Sequence, residues 1–365
     1  MSALFSKKIG YFFISTCISL GAYTIASAET DAINLTETES TKKNPGQYST
    51  FLAYFENDLF ADTDQYYTNA VKFSWLTKDL REYRQVLPKW LMPTTRLAPR
   101  VTPSAEEEPV ALYNVAFSLG QDIYTPDNIA SSTLLDNERP YAGWLYGGLA
   151  LHRKTVIHLD TFELSVGIIG PSALGEESQN SVHRYRNIDE ANGWDHQLHD
   201  EVGFLLTWQR HSRMASTEKK NGFCADFIPH YGVTLGNVLS TLNAGAESRI
   251  GYRIPKDFGT SLIRPGSILS DPFLGAEDSN SMFFGFHFFL GLDGRAVGQN
   301  IFLDGNTWED SHSVNKKNFV MDAYGGFAVH YRCFKITYTH VWRSKEFNAQ
   351  DKPQLFGSLS LRYTF

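Results

Sequence analysis

The chain is 365 residues long, 42% hydrophobic and 14% aromatic, with a formal net charge of −7. That acidic balance argues against a nucleic-acid partner, which needs a basic face. Three cysteines with no ligand-like spacing exclude a disulfide scaffold, a zinc motif and a redox pair.

Residues 1–28 read as an export signal. Lys7 and Lys8 form a positive start, Ile9 to Ile25 is uncharged and largely apolar, and Ala26-Ser27-Ala28 supplies a small-x-small cleavage pattern. The apolar run is long enough for an anchor, but Ser, Thr, Cys and Gly dilute it. Cleavage would remove both lysines and take the charge to −9. Residues 29–49 are polar and rich in Thr and Glu, and are expected to be a disordered lead-in. Cys17 leaves with the signal. Cys224 and Cys333 lie in separate strand-like segments and are expected to stay unpaired, because distant strands of one sheet rarely bring their β-carbons together.

From residue 50 to 365 the chain falls into segments of about ten residues with alternating apolar positions, the pattern of a transmembrane β-barrel. The expected strands are 51–59, 67–77, 111–120, 143–154, 156–168, 201–210, 225–237, 241–252, 282–292, 318–330, 332–343 and 355–365. Twelve is an even number, as single-chain bacterial barrels require. The fold expected is therefore all-β: an antiparallel transmembrane barrel of twelve strands with a short helix in an extracellular loop. In the last strand Leu359, Leu361, Tyr363 and Phe365 share one face. This is similar to the terminal strand by which the barrel-assembly machinery recognises outer-membrane proteins. Tyr113, Trp144, Tyr146, Trp208, Tyr338 and Trp342 read as girdle or lipid-facing residues.

With both termini in the periplasm, the odd-to-even connections face outward: 60–66, 121–142, 169–200, 238–240, 293–317 and 344–354. Two connections on the other side, 78–110 and 253–281, are too long for turns. Either they carry extra elements or a pair of strands hides in them.

Two outward loops hold chemistry-bearing residues. The first hairpin carries Asn57, Asp58 and Thr68, oxygen donors of the kind a hard cation such as calcium accepts. Turns favour Asp and Asn in any case. The loop from Gly170 to His199 begins with Gly-Pro and a capping Ser172, and reads as helical between Gln179 and Ile188. It brings Gln179, His183, Asp189 and Glu190 to the same rim. A histidine, carboxylates and amides converging from distant loops have the composition of a hydrolytic site.

Four segments carry a family resemblance: Glu56-Asn57-Asp58 with Tyr66-Tyr67-Thr68-Asn69, Gly120–Pro126 (GQDIYTP), Asp136–Gly148 (DNERPYAGWLYGG) and Gly167–Arg184 (GIIGPSALGEESQNSVHR). Together they resemble the lipid A 3-O-deacylase (LpxR) family of outer-membrane proteins. The resemblance implies a twelve-stranded barrel and a calcium-dependent esterase that removes the 3′-linked acyloxyacyl chain of lipid A in the outer leaflet. It implies that His183 activates water and that Asn57, Asp58, Thr68 and Gln179 match the family's calcium-site and active-site residues, with the metal stabilising the oxyanion. Asp189, six residues past His183, is the expected orienter of the imidazole, with Glu190 in competition. The second outward loop offers only Arg139 for lipid phosphate, and Arg184 and Arg186 are substitutes from the neighbouring loop. Two other classes stay open: a non-enzymatic porin or adhesin, and an outer-membrane phospholipase using Ser178 or Ser181.

Overall fold

Alternation dominates the architecture. Along most strands, large apolar residues take mainly one side and small or polar residues mainly the other. Such a sheet closes on itself with its apolar face toward lipid. The structure, a computed structural model, describes residues 49–58, 66–96, 111–218, 222–260, 262–263 and 284–365. The export-signal expectation lies outside these residues, as does the lead-in apart from Ser49.

Thirteen strands are described: β1 (Thr50–Asn57), β2 (Tyr66–Leu76), β3 (Leu112–Thr125), β4 (Ala142–Lys154), β5 (His158–Ile169), β6 (Glu201–Ser212), β7 (Ala215–Glu218), β8 (Phe223–Gly236), β9 (Leu239–Tyr252), β10 (Gly285–Asn300), β11 (Phe319–Tyr331), β12 (Phe334–Arg343) and β13 (Gln354–Thr364). Neighbours in sequence pair antiparallel, β1 pairs with β13, and β6 pairs with β8. The barrel closes with twelve staves, because β6 and the four-residue β7 form one stave interrupted at 213–214. Two helices, α1 (Gly175–Arg186) and α2 (Ile301–Asp304), sit in connections at one end. We call this the loop end. The opposite end holds Ser49 and Phe365, whose main chains pair at 2.8 Å in both directions. Cys224 and Cys333 are free thiols.

The expected strands are present in order, with three differences. β3 runs on to Thr125 and β10 to Asn300, so the first residues of two expected loops are sheet. Trp144 and Tyr146 face the lumen rather than lipid, stacked with centroids 4.1 Å apart and almost fully buried. Their position follows from register: Trp144 stands opposite Asp122, and Tyr146 opposite Gly120, whose missing side chain leaves room for the ring. The third difference is that the long connections contribute no strand among the described residues.

Residues 253–260 and 262–263 enter the lumen. Asp257 pairs there with Arg249, with Lys335 at 2.7 Å and with Arg362 at 3.8 Å. Burial pushes the Asp257 carboxyl up, but these cations outweigh it and hold the group below the ordinary carboxylate range. Thr260 donates its main-chain N–H to Glu247, and Ile263 donates its own to Glu56 at 2.7 Å. Leu262 and Ile263 pack among Leu52, Tyr54, Phe289 and Val341. A segment of the chain itself thus occupies part of the lumen.

Candidate active site

The site is built where α1 meets the outer wall at the loop end. Gly170 ends β5 at φ 98°, a backbone conformation that disfavours side chains, with the main chain of His199 and Asp200 close against it. Pro171–Ala173 form a 3-10 turn. Ser172 does not cap α1 as expected. It binds Asp200 through its N–H (2.8 Å) and hydroxyl (2.6 Å), and Leu174, at φ 57°, starts the helix. Gln121 on the wall donates to the carbonyls of Ala173 and Leu174 at 2.7 and 3.2 Å. Gly143 and Gly175 make the approach close, since a β-carbon on Gly143 would stand 3.2 Å from the Gly175 main chain.

The helix buries Gly175, Gln179, Asn180 and His183, which share one face at spacings of four, five and eight. That face is polar, whereas an ordinary surface helix buries its apolar stripe. Val182 and Tyr185 point the other way and are exposed. Asn187, in the left-handed region at φ 54°, ends α1 and turns the chain back along it. The return is then clamped: Asn180 Oδ1 accepts from Ala191 N at 2.9 Å, and Asn180 Nδ2 donates to Ala191 O at 3.3 Å.

This return supplies the partner of the histidine. His183 Nδ1 lies 2.6 Å from the main-chain oxygen of Asp189. A carbonyl only accepts, so Nδ1 carries the proton and Nε2 carries the basic lone pair. The orienting group is therefore the backbone at Asp189, whereas its carboxylate was the expected orienter. The Asp189 side chain is exposed, and Glu190 pairs with Arg184 at 2.9 Å. Trp194, buried against Tyr141 and Gly175, donates its indole N–H to Gln179 Oε1 at 3.1 Å. That contact fixes the amide and leaves buried Gln179 Nε2 without a hydrogen-bond partner.

The wall contributes a row of facing residues. Asn57 stands opposite Asn69, Asn69 opposite Ile123, and Ile123 opposite Gly143. Alternation puts all four on the outer side, with Glu56 and Asp122 on the lumen side. Asn57 and Asp58 are buried nonetheless. Asn69 Oδ1 is buried with no hydrogen-bond partner. Asn69 was quoted only as part of a motif; its inclusion in the site follows from register, which a single strand does not reveal. Thr68 falls at the register shift between Tyr67 and Asn69, and its side chain is outside the described residues.

The three arginines separate. Arg139 is buried, 3.2 Å from Glu346 and over the Tyr124 ring at 4.7 Å, committed to the interior. Arg184 and Arg186 are exposed on the last turn of α1. Ser178 and Ser181 have no histidine recorded beside them, and Ser181 accepts from Arg184 at 3.2 Å.

Comparison with known proteins decides the family. The model described as "Outer membrane protein LpxR" matches residues 12–365. The chain belongs to the LpxR family. Its barrel is similar to LpxR from Salmonella typhimurium, with a TM-score of 0.66 at 18% identity, covering 87% of this chain and 100% of that one. The β domain of the Bordetella autotransporter BrkA follows with a TM-score of 0.41 at 8% identity, covering 88% of this chain and 100% of that one. No curated protein matches. LpxR membership places the barrel in the outer membrane and ties it to lipid A.

Proposed function

We propose that this barrel is a lipid A 3′-O-deacylase, a carboxylic ester hydrolase acting on lipopolysaccharide with its loop end facing the cell exterior. The observation that carries the reading is the His183 tautomer. A buried imidazole held by a main-chain carbonyl on Nδ1 presents Nε2 as the base that takes a proton from water. Water so activated attacks the ester carbonyl, and the proton returns to the leaving alkoxide. Gln179 Nε2, oriented by Trp194, donates to the oxygen that gains charge. α1 carries His183 two turns past Gly175, which lies against Gly143, in the same outer row as Asn57 and Asn69.

The residues fit calcium. Among the described residues no three His, Cys, Asp or Glu side chains gather as a metal site. A cation here would rest on amide and carboxylate oxygens, as a hard ion accepts. Asn57, Asp58 and Asn69 would hold it, with Thr68 and Gln179 as the further members implied by family resemblance. The orphaned Asn69 Oδ1 is the observation in its favour. When bound, the ion supplies charge to stabilise the tetrahedral oxyanion. Arg184 and Arg186 are the basic groups left for lipid phosphate, since Arg139 is buried against Glu346. The barrel-assembly machinery is the expected partner in biogenesis. A porin reading is disfavoured by the chain segment anchored inside the lumen.

Mass spectrometry of lipid A incubated with the purified protein, with calcium and with chelator, tests this. The expected result is calcium-dependent loss of one acyloxyacyl unit. Intact lipid A in both samples, from a heat-modifiable barrel, overturns it. Asp58→Ala is expected to abolish the calcium response, and an unchanged calcium titration removes Asp58 from the site.

A further inference from the structure

The connection after β2 does something unusual for a barrel turn. Asp79 points into the lumen, where it binds Lys154 at 2.6 Å and Asn114 at 3.0 Å. Leu80 then bridges to Tyr113 through both main-chain bonds. From there residues 83–92 lie on the lipid-facing side of the wall. Leu80, Leu87, Leu91 and Met92 pack with Val115, Leu151, Phe162 and Trp208, all outward-facing positions of β3 to β6. Val115 is 0% exposed and Leu151 2%, whereas the outward neighbours Phe117 and Phe204 are each 46% exposed. Part of the lipid-facing wall is thus covered by the chain itself.

The covering segment has a second face. Trp90 is 75% exposed and Val86 42%. Lys78, Arg81, Arg84 and Lys89 are exposed beside them. Asp79 is buried, and Glu82, the one exposed acid of 78–92, pairs with Arg84. A chain of net charge −7 therefore carries a local excess of three positive charges next to an exposed tryptophan. The acidic run 106–108 of the same connection lies outside the described residues.

We propose that residues 78–92 form an in-plane membrane element that docks on anionic phospholipid in the leaflet at the terminal end of the barrel. Tryptophan prefers the headgroup level, and basic side chains with long stems reach anionic headgroups from an apolar base. Positive charge on an interfacial segment selects anionic over zwitterionic lipid. The surface is continuous with the lipid-facing wall, which determines the kind of partner. This takes from the proposed function only the orientation of the barrel.

The test uses the full-length protein in vesicles of phosphatidylcholine alone or mixed with phosphatidylglycerol. Lipid carrying a quencher near its headgroup reports Trp90 as the difference between wild type and Trp90→Phe. The heat-modifiability midpoint reports lipid charge. Phosphatidylglycerol is expected to raise the wild-type midpoint by a few degrees, and Lys78→Gln/Arg81→Gln/Lys89→Gln to lose most of that rise. Lys89→Gln alone, an exposed single change, is expected to lose part of it. Quenching equal in wild type and Trp90→Phe overturns the proposal. So does a full phosphatidylglycerol response in the triple variant, or a concentration-dependent dimer that covers the patch instead. An enzyme inactive on lipid A but normal in these assays would fail the proposed function and leave this inference standing.

Discussion

Inside the barrel, carboxylates meet cations. On the outer wall beside α1, amides and a main-chain carbonyl meet a histidine. The lumen pairs Lys72 with Glu163 at 3.2 Å, Arg343 with Asp322 at 2.9 Å and Lys335 with Asp257 at 2.7 Å. Buried ions so matched hold each other and the plug in place, although orphaned atoms such as Glu163 Oε2 and Asp122 Oδ1 remain among them. The outer-wall site holds fewer charges, and two of its amides retain an unspent hydrogen bond, at Gln179 Nε2 and Asn69 Oδ1. In this molecule a dense set of ionisable groups marks architecture. What sets the outer-wall site apart is a tethered histidine beside its unspent amides, and the proposed chemistry is placed there.

The comparison breaks if the two regions respond alike to substitution. His183→Ala is expected to lower ester hydrolysis by ~10²-fold or more, because a general base contributes about that much. Its heat-modifiability should be that of wild type. A large loss of folded yield with normal activity per folded molecule would make His183 structural.

Asp257→Ala is the mirror image. It strands Lys335 in the lumen and leaves Arg249 to its pair with Asp226, and breaking a buried pair this way costs about 3–5 kcal/mol. A lower unfolding midpoint is expected with unchanged turnover per folded barrel. Because the Asp257 carboxyl is held below its ordinary range, its contribution is present above that range and is lost only as the pH falls through the lowered value. A turnover loss matching that of His183→Ala would show that the plug belongs to the site.

Much of this division is legible in sequence, and the reason is periodicity. Alternation fixes which side of a strand a residue takes once the register is known, so twelve staves and the loops gathered at one end follow from the pattern. Trp144 and Tyr146 were misplaced because aromatic type was weighed above parity. The plug was missed for a different reason. Residues 253–263 have no period, and their partners Glu56, Glu247, Arg249 and Lys335 come from four separate strands. At the site, the motif around His183 points to the proposed base. The identity of its orienter depended on a turn at Asn187, which side-chain chemistry alone does not reveal.

Trp194→Phe sharpens the outer-wall half of the comparison. It keeps the ring against Tyr141 and removes only the indole donor, so the Gln179 amide is no longer held in one orientation. Turnover is expected to fall about tenfold, the worth of one aligned hydrogen bond, with little change in KM. In a Gln179→Ala background the same substitution should cost almost nothing, because contacting residues that act through one another are not additive. Equal losses in both backgrounds would mean that Trp194 only packs.

The smallest expected effect is the most discriminating. If an acid–base pair of side chains ran this site, Asp189→Ala would be nearly as damaging as His183→Ala. The structure gives the role to the main-chain oxygen of residue 189, which every substitution but a backbone distortion preserves. The Asp189 carboxylate is exposed, and exposed charges contribute little to a neighbour through solvent. Asp189→Ala is therefore expected to keep turnover within about twofold of wild type, the scale of an exposed charge. Asp189→Pro, which constrains the backbone there, is expected to lose far more. The reverse order would return the orienting role to the carboxylate and remove the contrast between a charge-paired lumen and a site organised by backbone and amides.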